Sequence, residues 1–144
     1  KHAMMKLNHI GLLAEDCQEA VRHINSMLGE LDWEYFDFFF PQETVNIGKQ
    51  FHIKTAVANF GPMDFEILQP YDGEGSYLQE ALKEKGPGLH HLAYFFDTIP
   101  EMMEHVAKLE AEGYQRLHDT ERLSGHPTIY LQAPDRSMIY ELHV

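Results

Sequence analysis

The sequence predicts an α+β fold built from two βαβββ modules carried in one chain. Three observations predict it. A histidine-led apolar run followed by a capped helical pattern occurs twice, with the histidine seven residues ahead of the cap each time. Each helical pattern is followed by three strand-like runs. Between the two sets lies a segment rich in Gly, Pro and charge. At 144 residues the chain suits one domain. Neither half can cover both faces of a sheet alone, so the halves must pack on each other.

The first run is LNHIGLLAED, residues 7–16. Ala20, Val21, Ile24 and Leu28 then recur at helical spacing. Asp16 and Glu19 stand at capping-box spacing, and Gly29 supplies a stop. Strand-like runs follow at about 31–40, 51–60 and 63–69. Of these, WEYFDFFF (33–40) reads as a core or interface strand. In the second half HHLAYFFDT (90–98) leads into IPEMMEHVAKLEAEG. Thr98 and Glu101 repeat the capping-box spacing, Pro100 falls in the first turn and Gly113 closes the helix. Met102, Met103, Val106 and Leu109 form its inward stripe. Strands are expected at about 114–122, 127–132 and 137–143, and a short helix from Ser76 to Lys85. The expected division is a lead-in at 1–6 and one domain at 7–143: module one 7–70, linker 71–88 and module two 89–143. The opening KHAM reads as the remnant of an added tag, so His2 is set aside.

Bulk composition narrows the function classes. A formal charge of −12 argues against nucleic acid, which needs clustered Lys and Arg to displace counterions. It does not oppose a small anionic ligand, because a metal reverses the field inside one pocket. No apolar run approaches the ~20 residues of a membrane-spanning helix, and no secretory leader is evident. Cys17 is the single cysteine, which fits a reducing cytoplasm and rules out an intrachain disulfide. It sits near a helix start, where thiolates are favoured, but reads as an incidental small residue.

The repeat register aligns His9 with His91 rather than with His90. Strict alternation along a strand puts His91, Ala93 and Phe95 on one side and His90, Leu92, Tyr94 and Phe96 on the other. A small residue follows two positions after each aligned histidine, Gly11 and Ala93, which leaves room for a ligand. MDFEILQP and SMIYELHV each place a glutamate, Glu66 and Glu141, between core residues at the same repeat position. A carboxylate so bracketed is costly to bury unless it is paired or bound to a cation. Taken singly, each residue fits an ordinary strand end or a water-facing position. The symmetric set of two histidines and two glutamates makes a mixed N/O site for one divalent ion, with positions left for a substrate's oxygens.

These residues resemble the vicinal oxygen chelate superfamily, which includes glyoxalase I, methylmalonyl-CoA epimerase, extradiol dioxygenases and bleomycin-resistance proteins. The resemblance covers about residues 7 to 143 and is most specific in NHIGLLAED, FEILQP, GPGLHHLAYFFDTI and APDRSMIYELHV. It implies paired βαβββ modules forming a cupped mixed sheet around a metal, with ligands at His9, Glu66, His91 and Glu141. GLHHLAY and the separating linker are most similar to the epimerase. Two departures matter. The epimerase's additional glutamate base has no counterpart in FHIKTAVANF, which offers His52 and Lys54 instead. The arginine that glyoxalase I places after its first metal histidine is missing from HIGLLAED.

The implied function is a divalent-metal-dependent isomerase or epimerase that stabilises an enolate or enediolate of a small oxo-acid or acyl-CoA substrate. Glu141 or Glu66 is the expected base, with His52 a second choice if its side of the strand faces the cup. His/Glu ligation admits zinc, nickel, cobalt, manganese or iron. The competing readings are a lactoylglutathione lyase of the glyoxalase I type and a metal-free drug- or metabolite-binding protein with an aromatic cup. The expected partner is a small, anionic substrate, with no nucleic acid and no membrane. A homodimer is implied by resemblance. RLSGHP (122–127) reads as a hairpin connection whose His126 could reach a substrate.

Overall fold

A computed structural model describes residues 5–120 and 127–144. The connection carrying His126 lies outside the described residues. Eight strands and three helices follow in the order β1 (Met5–Leu13), α1 (Cys17–Leu28), β2 (Glu34–Phe40), β3 (Phe51–Phe60), β4 (Met63–Tyr71), α2 (Tyr77–Lys85), β5 (Gly88–Phe96), α3 (Ile99–Ala111), β6 (Gln115–Asp119), β7 (Thr128–Gln132) and β8 (Ile139–His143). β1 begins at Met5, inside the expected lead-in.

All eight strands form one curled mixed sheet in the order β2-β3-β4-β1-β5-β8-β7-β6. Within each module the first and last strands pair in parallel, β1 with β4 and β5 with β8. The modules join along the antiparallel pair β1–β5. The order reads the same outward from that seam in both directions, so the repeat in the sequence is a repeat in space.

The capping residues set the helix starts. The Asp16 side chain accepts from the backbone N–H of Gln18 and Glu19, and Thr98 accepts from that of Glu101. Gly29, at a φ of 97°, ends α1, and Gly113, at 101°, follows the cap of α3. Ala20, Val21 and Ile24 of α1 pack on Ala56 and Ile67, covering the outer face of module one. Met102 and Val106 of α3 do the same on Phe96, Ile129, Leu131 and Leu142, with Met103 and Leu109 at the margin. Helix α2 is held at Ser76 and lies on the opposite, inner face, where Leu78 packs with Leu13, Phe51, Ile53 and Leu68.

Several boundaries differ from expectation for local reasons. β2 starts at Glu34 because Asn25 of α1 ties down the residues before it. Its Oδ1 accepts from the Leu31 backbone at 3.2 Å and from Trp33 Nε1 at 2.9 Å. β8 starts at Ile139 because Asp135 to Ser137 form a turn, with Arg136 at a φ of 63° and Asp135 Oδ1 accepting from Ser137 N. β2 is an edge strand, not a core strand: Tyr35, Phe36, Phe38 and Phe39 are all exposed. Cys17 is buried, and that burial, with the Asp16 charge beside it, pushes its thiol up, so the helix start does not activate it.

Candidate metal centre

His9, Glu66, His91 and Glu141 converge at the β1–β5 seam, on the inner face of the sheet. One ligand atom from each lies within 4.8 Å of the others. His9 Nε2 and His91 Nε2 stand 3.2 Å apart. Glu141 Oε1 lies 3.2 Å from the first and 3.1 Å from the second. Glu66 Oε1 lies 3.6 Å from both.

The register explains the convergence. β1 pairs Gly11 with Glu66 on one side and with His91 on the other. β5 likewise pairs Ala93 with Glu141 and with His9. Each histidine therefore stands across from the small residue of the other module. At Gly11 the space is filled: a Cβ there would overlap Cε1, Nδ1 and Nε2 of the His91 ring. The small residue makes room for the opposite histidine rather than for a ligand in front of its own.

Strict alternation fails at the two places that matter. The β1–β5 ladder skips Asn8 on one strand and His90 on the other, so each strand carries a bulge just before its inward histidine. The bulge brings His90 to the same side as His91, with the two Nδ1 atoms 2.8 Å apart. Sequence alternation had placed His90 on the outer face. Asn8 Oδ1 sits 2.9 Å from His9 Nδ1 in the same manner.

The residues present fit a divalent cation. Donors about 2.0–2.2 Å from a common ion at tetrahedral or octahedral angles lie roughly 3–3.5 Å from one another. The five separations that involve a histidine, 3.1 to 3.6 Å, lie close to that spacing, and the two carboxylate oxygens lie within 4.8 Å of each other. Burial would lower the pKa of His9, but hydrogen bonds to Glu141 and Glu66 and the charge of both carboxylates raise it to about 10. Burial would raise that of Glu141, but the two histidines hold it well below the usual carboxylate range. A proton thus occupies the ground that a cation would take.

His52 stands apart from this group. In β3 it pairs with Tyr71, and it falls on the outer face with Lys54 and Ala56, while Thr55 and Val57 face inward. Its neighbours are Phe39 and Asp72, the latter at 3.6 Å. It does not face the cup, so the condition for its role as a base is not met.

Other residues reach the site without having been expected there. Tyr130 Oη donates to Glu141 Oε1 at 2.6 Å. His118 stacks on Tyr130 at 4.6 Å and bonds Tyr77 Oη through Nδ1 at 2.9 Å. Burial pushes His118 down to about 4, so it stays neutral. The His143 ring lies 5.9 Å from that of His9. Only Asn8 and His90 had a signal in the sequence, adjacency to the aligned histidines. Tyr130 meets Glu141 through the β7–β8 register, which no local pattern announces. A cleft of about 530 Å³ beside α2 is lined by His90, Leu89, Tyr77 and Ile139, but by none of the four convergent residues. Toward β2 the inner face carries Phe36, Phe38 and Phe40, paired with Thr55, Ile53 and Phe51.

A family model described as the glyoxalase/bleomycin resistance protein/dioxygenase superfamily matches residues 8–130. The chain belongs to that superfamily. Several solved structures share the fold seen here. Hypothetical protein BH1468 from Bacillus halodurans C-125 is 20% identical with a TM-score of 0.68, covering 96% of this chain and 93% of that one. Methylmalonyl-CoA epimerase from Mycobacterium tuberculosis is 15% identical with a TM-score of 0.69, covering 99% and 90%. A methylmalonyl-CoA epimerase in complex with methylmalonyl-CoA and ammonium is 19% identical with a TM-score of 0.66, covering 97% and 94%. The uncharacterised protein YqjC of Bacillus subtilis (strain 168) is 28% identical over 101 residues, 70% of this chain. That match spans 64% of the relative's length. Among the described residues no helix is long and apolar enough to cross a membrane.

Proposed function

We propose that this superfamily member is a divalent-metal-dependent isomerase or epimerase acting at the carbon beside a carbonyl of a small oxo-acid or acyl thioester. The observation that carries the reading is the convergence of His9, Glu66, His91 and Glu141 within 4.8 Å. These four would hold the ion. When bound there, a divalent ion supplies Lewis acidity to two substrate oxygens and so acidifies the neighbouring C–H.

The two carboxylates have different freedom. Glu141 is buried and held by Tyr130 Oη. The Glu66 side chain keeps 20% of its surface exposed, and the residue opposite it in β3 is Val57, which offers no hydrogen bond. Glu66 is therefore the side chain that can swing to take the substrate's proton and return it, while Glu141 stays fixed. Racemisation would need a second donor on the far side of the substrate carbon, whereas transfer between adjacent carbons needs only Glu66. A cytoplasmic setting and a dimer paired through sheet edges belong to the same reading.

Metal content of tag-free protein, purified without chelators or metal resin, tests the site. About one equivalent of a transition metal is expected, reduced in Glu66→Gln and His91→Ala. Unchanged metal content in both variants would refute the site. Deuterium uptake at the substrate's alpha carbon, followed in deuterated water with acyl thioesters and hemithioacetals, tests the chemistry and separates epimerase from lyase. The exposed Phe36 and Phe38 on the inner face favour a second reading, a metal-free binder of an apolar drug or metabolite. Ligand affinity insensitive to metal, with no deuterium uptake, would establish the binder instead.

A further inference from the structure

We infer that His90 and Asn8 are paired positioning residues, each fixing the ring and the proton of the histidine that follows it. The inference rests on the metal reading above and deepens it. Its basis is the double bulge. An antiparallel ladder without bulges would send residues 8 and 90 to the outer face. Here each strand of the β1–β5 pair spends one extra residue, and both extra residues are the ones bonded to an inward histidine's Nδ1. The two modules reach the same contact with different side chains.

Proton placement follows from the partners. Asn8 Oδ1 can only accept, so the bond at 2.9 Å puts a proton on His9 Nδ1. A neutral imidazole so protonated carries its lone pair on Nε2, the atom that faces His91 and both carboxylates. For His91 the partner is a ring nitrogen. When His91 offers the lone pair of Nε2, its Nδ1 bears the proton and His90 Nδ1 accepts it across 2.8 Å. His90 then carries its own proton on Nε2, which is buried with no partner among the described residues. An orphaned N–H is unfavourable in a core, and the bond to His91 accounts for keeping a histidine at that position. The His90 ring is in turn stacked on Tyr77 of α2 at 6.4 Å, which links the linker helix to the site.

Module one supplies the control. His90→Asn offers module two the acceptor that Asn8 offers module one, whereas His90→Leu fills the space without one. Zinc affinity, measured by competition with a chromophoric chelator, should fall about 10–100-fold in His90→Leu and in Asn8→Leu, the usual cost of losing a ligand's outer partner. His90→Asn should stay within about threefold of the parent, far inside that range. Parent-like affinity in His90→Leu, or equal losses in His90→Asn and His90→Leu, would overturn the inference. A second readout needs no metal and no variant. In metal-free protein labelled with nitrogen-15 histidine, one downfield imidazole proton should couple to nitrogens of both His90 and His91. Its absence would overturn the inference whatever the zinc result. Its presence in a chain that binds no zinc would sink the metal reading and leave the positioning of the His91 ring standing.

Discussion

Opposite Glu66 in the inner row of module one stands Val57; opposite Glu141 in module two stands Tyr130. The rest of the row matches. Each histidine precedes its small residue by two, each glutamate pairs with that small residue, and each histidine is braced by the residue before it. Where module one has an apolar side chain and a partly exposed carboxylate, module two has a phenol and a buried, fixed one. A duplicated scaffold thus yields one rigid half and one half open toward β2. Two halves built like module two would leave no carboxylate free to handle a proton.

The sharpest way to break this comparison is to remove one carboxylate at a time. Glu141→Gln leaves His9 buried beside a neutral group and should destabilise the metal-free chain by ~3–5 kcal/mol in urea unfolding, the range for breaking a buried ion pair. Glu66→Gln should cost ~1 kcal/mol, as for an ordinary hydrogen bond, yet abolish deuterium uptake. Equal destabilisation by the two would erase the distinction.

Tyr130→Phe removes the phenol and makes module two resemble module one. It should cost ~1.5–3 kcal/mol, the value of a hydrogen bond to a charged group. Glu141 should then show faster side-chain motion in NMR relaxation. An unchanged midpoint would mean that the phenol does not hold the carboxylate.

The seam offers a third comparison. Gly11→Ala forces a Cβ into the His91 ring, and overpacking of this kind costs ~1–3 kcal/mol. Zinc affinity should fall with it. Ala93→Gly at the matching position removes only a methyl group and should cost ~0.5–1 kcal/mol. Similar effects from the two would show that the close approach at Gly11 can relax.

A further effect is one of pH. The pKa of His9 is raised above its unfolded value, to about 10. Its contribution to the stability of the metal-free chain is therefore complete below about pH 6.5 and is lost as pH rises toward 10. The loss should be at most about 1.4 kcal/mol per pH unit in that window. A cation binding at Nε2 must displace this proton, so zinc affinity should rise with pH over the same range. Calorimetry in buffers of different ionisation enthalpy would count the proton released; no release would remove His9 from the ligand set.

Much of this is legible in the sequence alone. The seven-residue spacing from histidine to cap, Asp16 and Thr98 as caps, and Glu66 and Glu141 between core residues each rest on local rules, and each holds in the fold. WEYFDFFF read as a core or interface strand, and the core alternative fails because hydrophobicity does not tell a core strand from an edge strand. That depends on how many neighbours the sheet supplies, and β2 has one. His52 could not be placed from sequence because one residue of register decides its face.

The sequence by itself determined the two modules, their helices and the four residues that could meet, because period, capping and duplication are properties of the chain. Only the tertiary structure decided that they do meet, that His90 turns inward, and that Tyr130 faces Glu141 while Val57 faces Glu66. Bulges and cross-strand register arise from pairing between segments distant in sequence, and no local pattern encodes which residue an extra step in the ladder will turn.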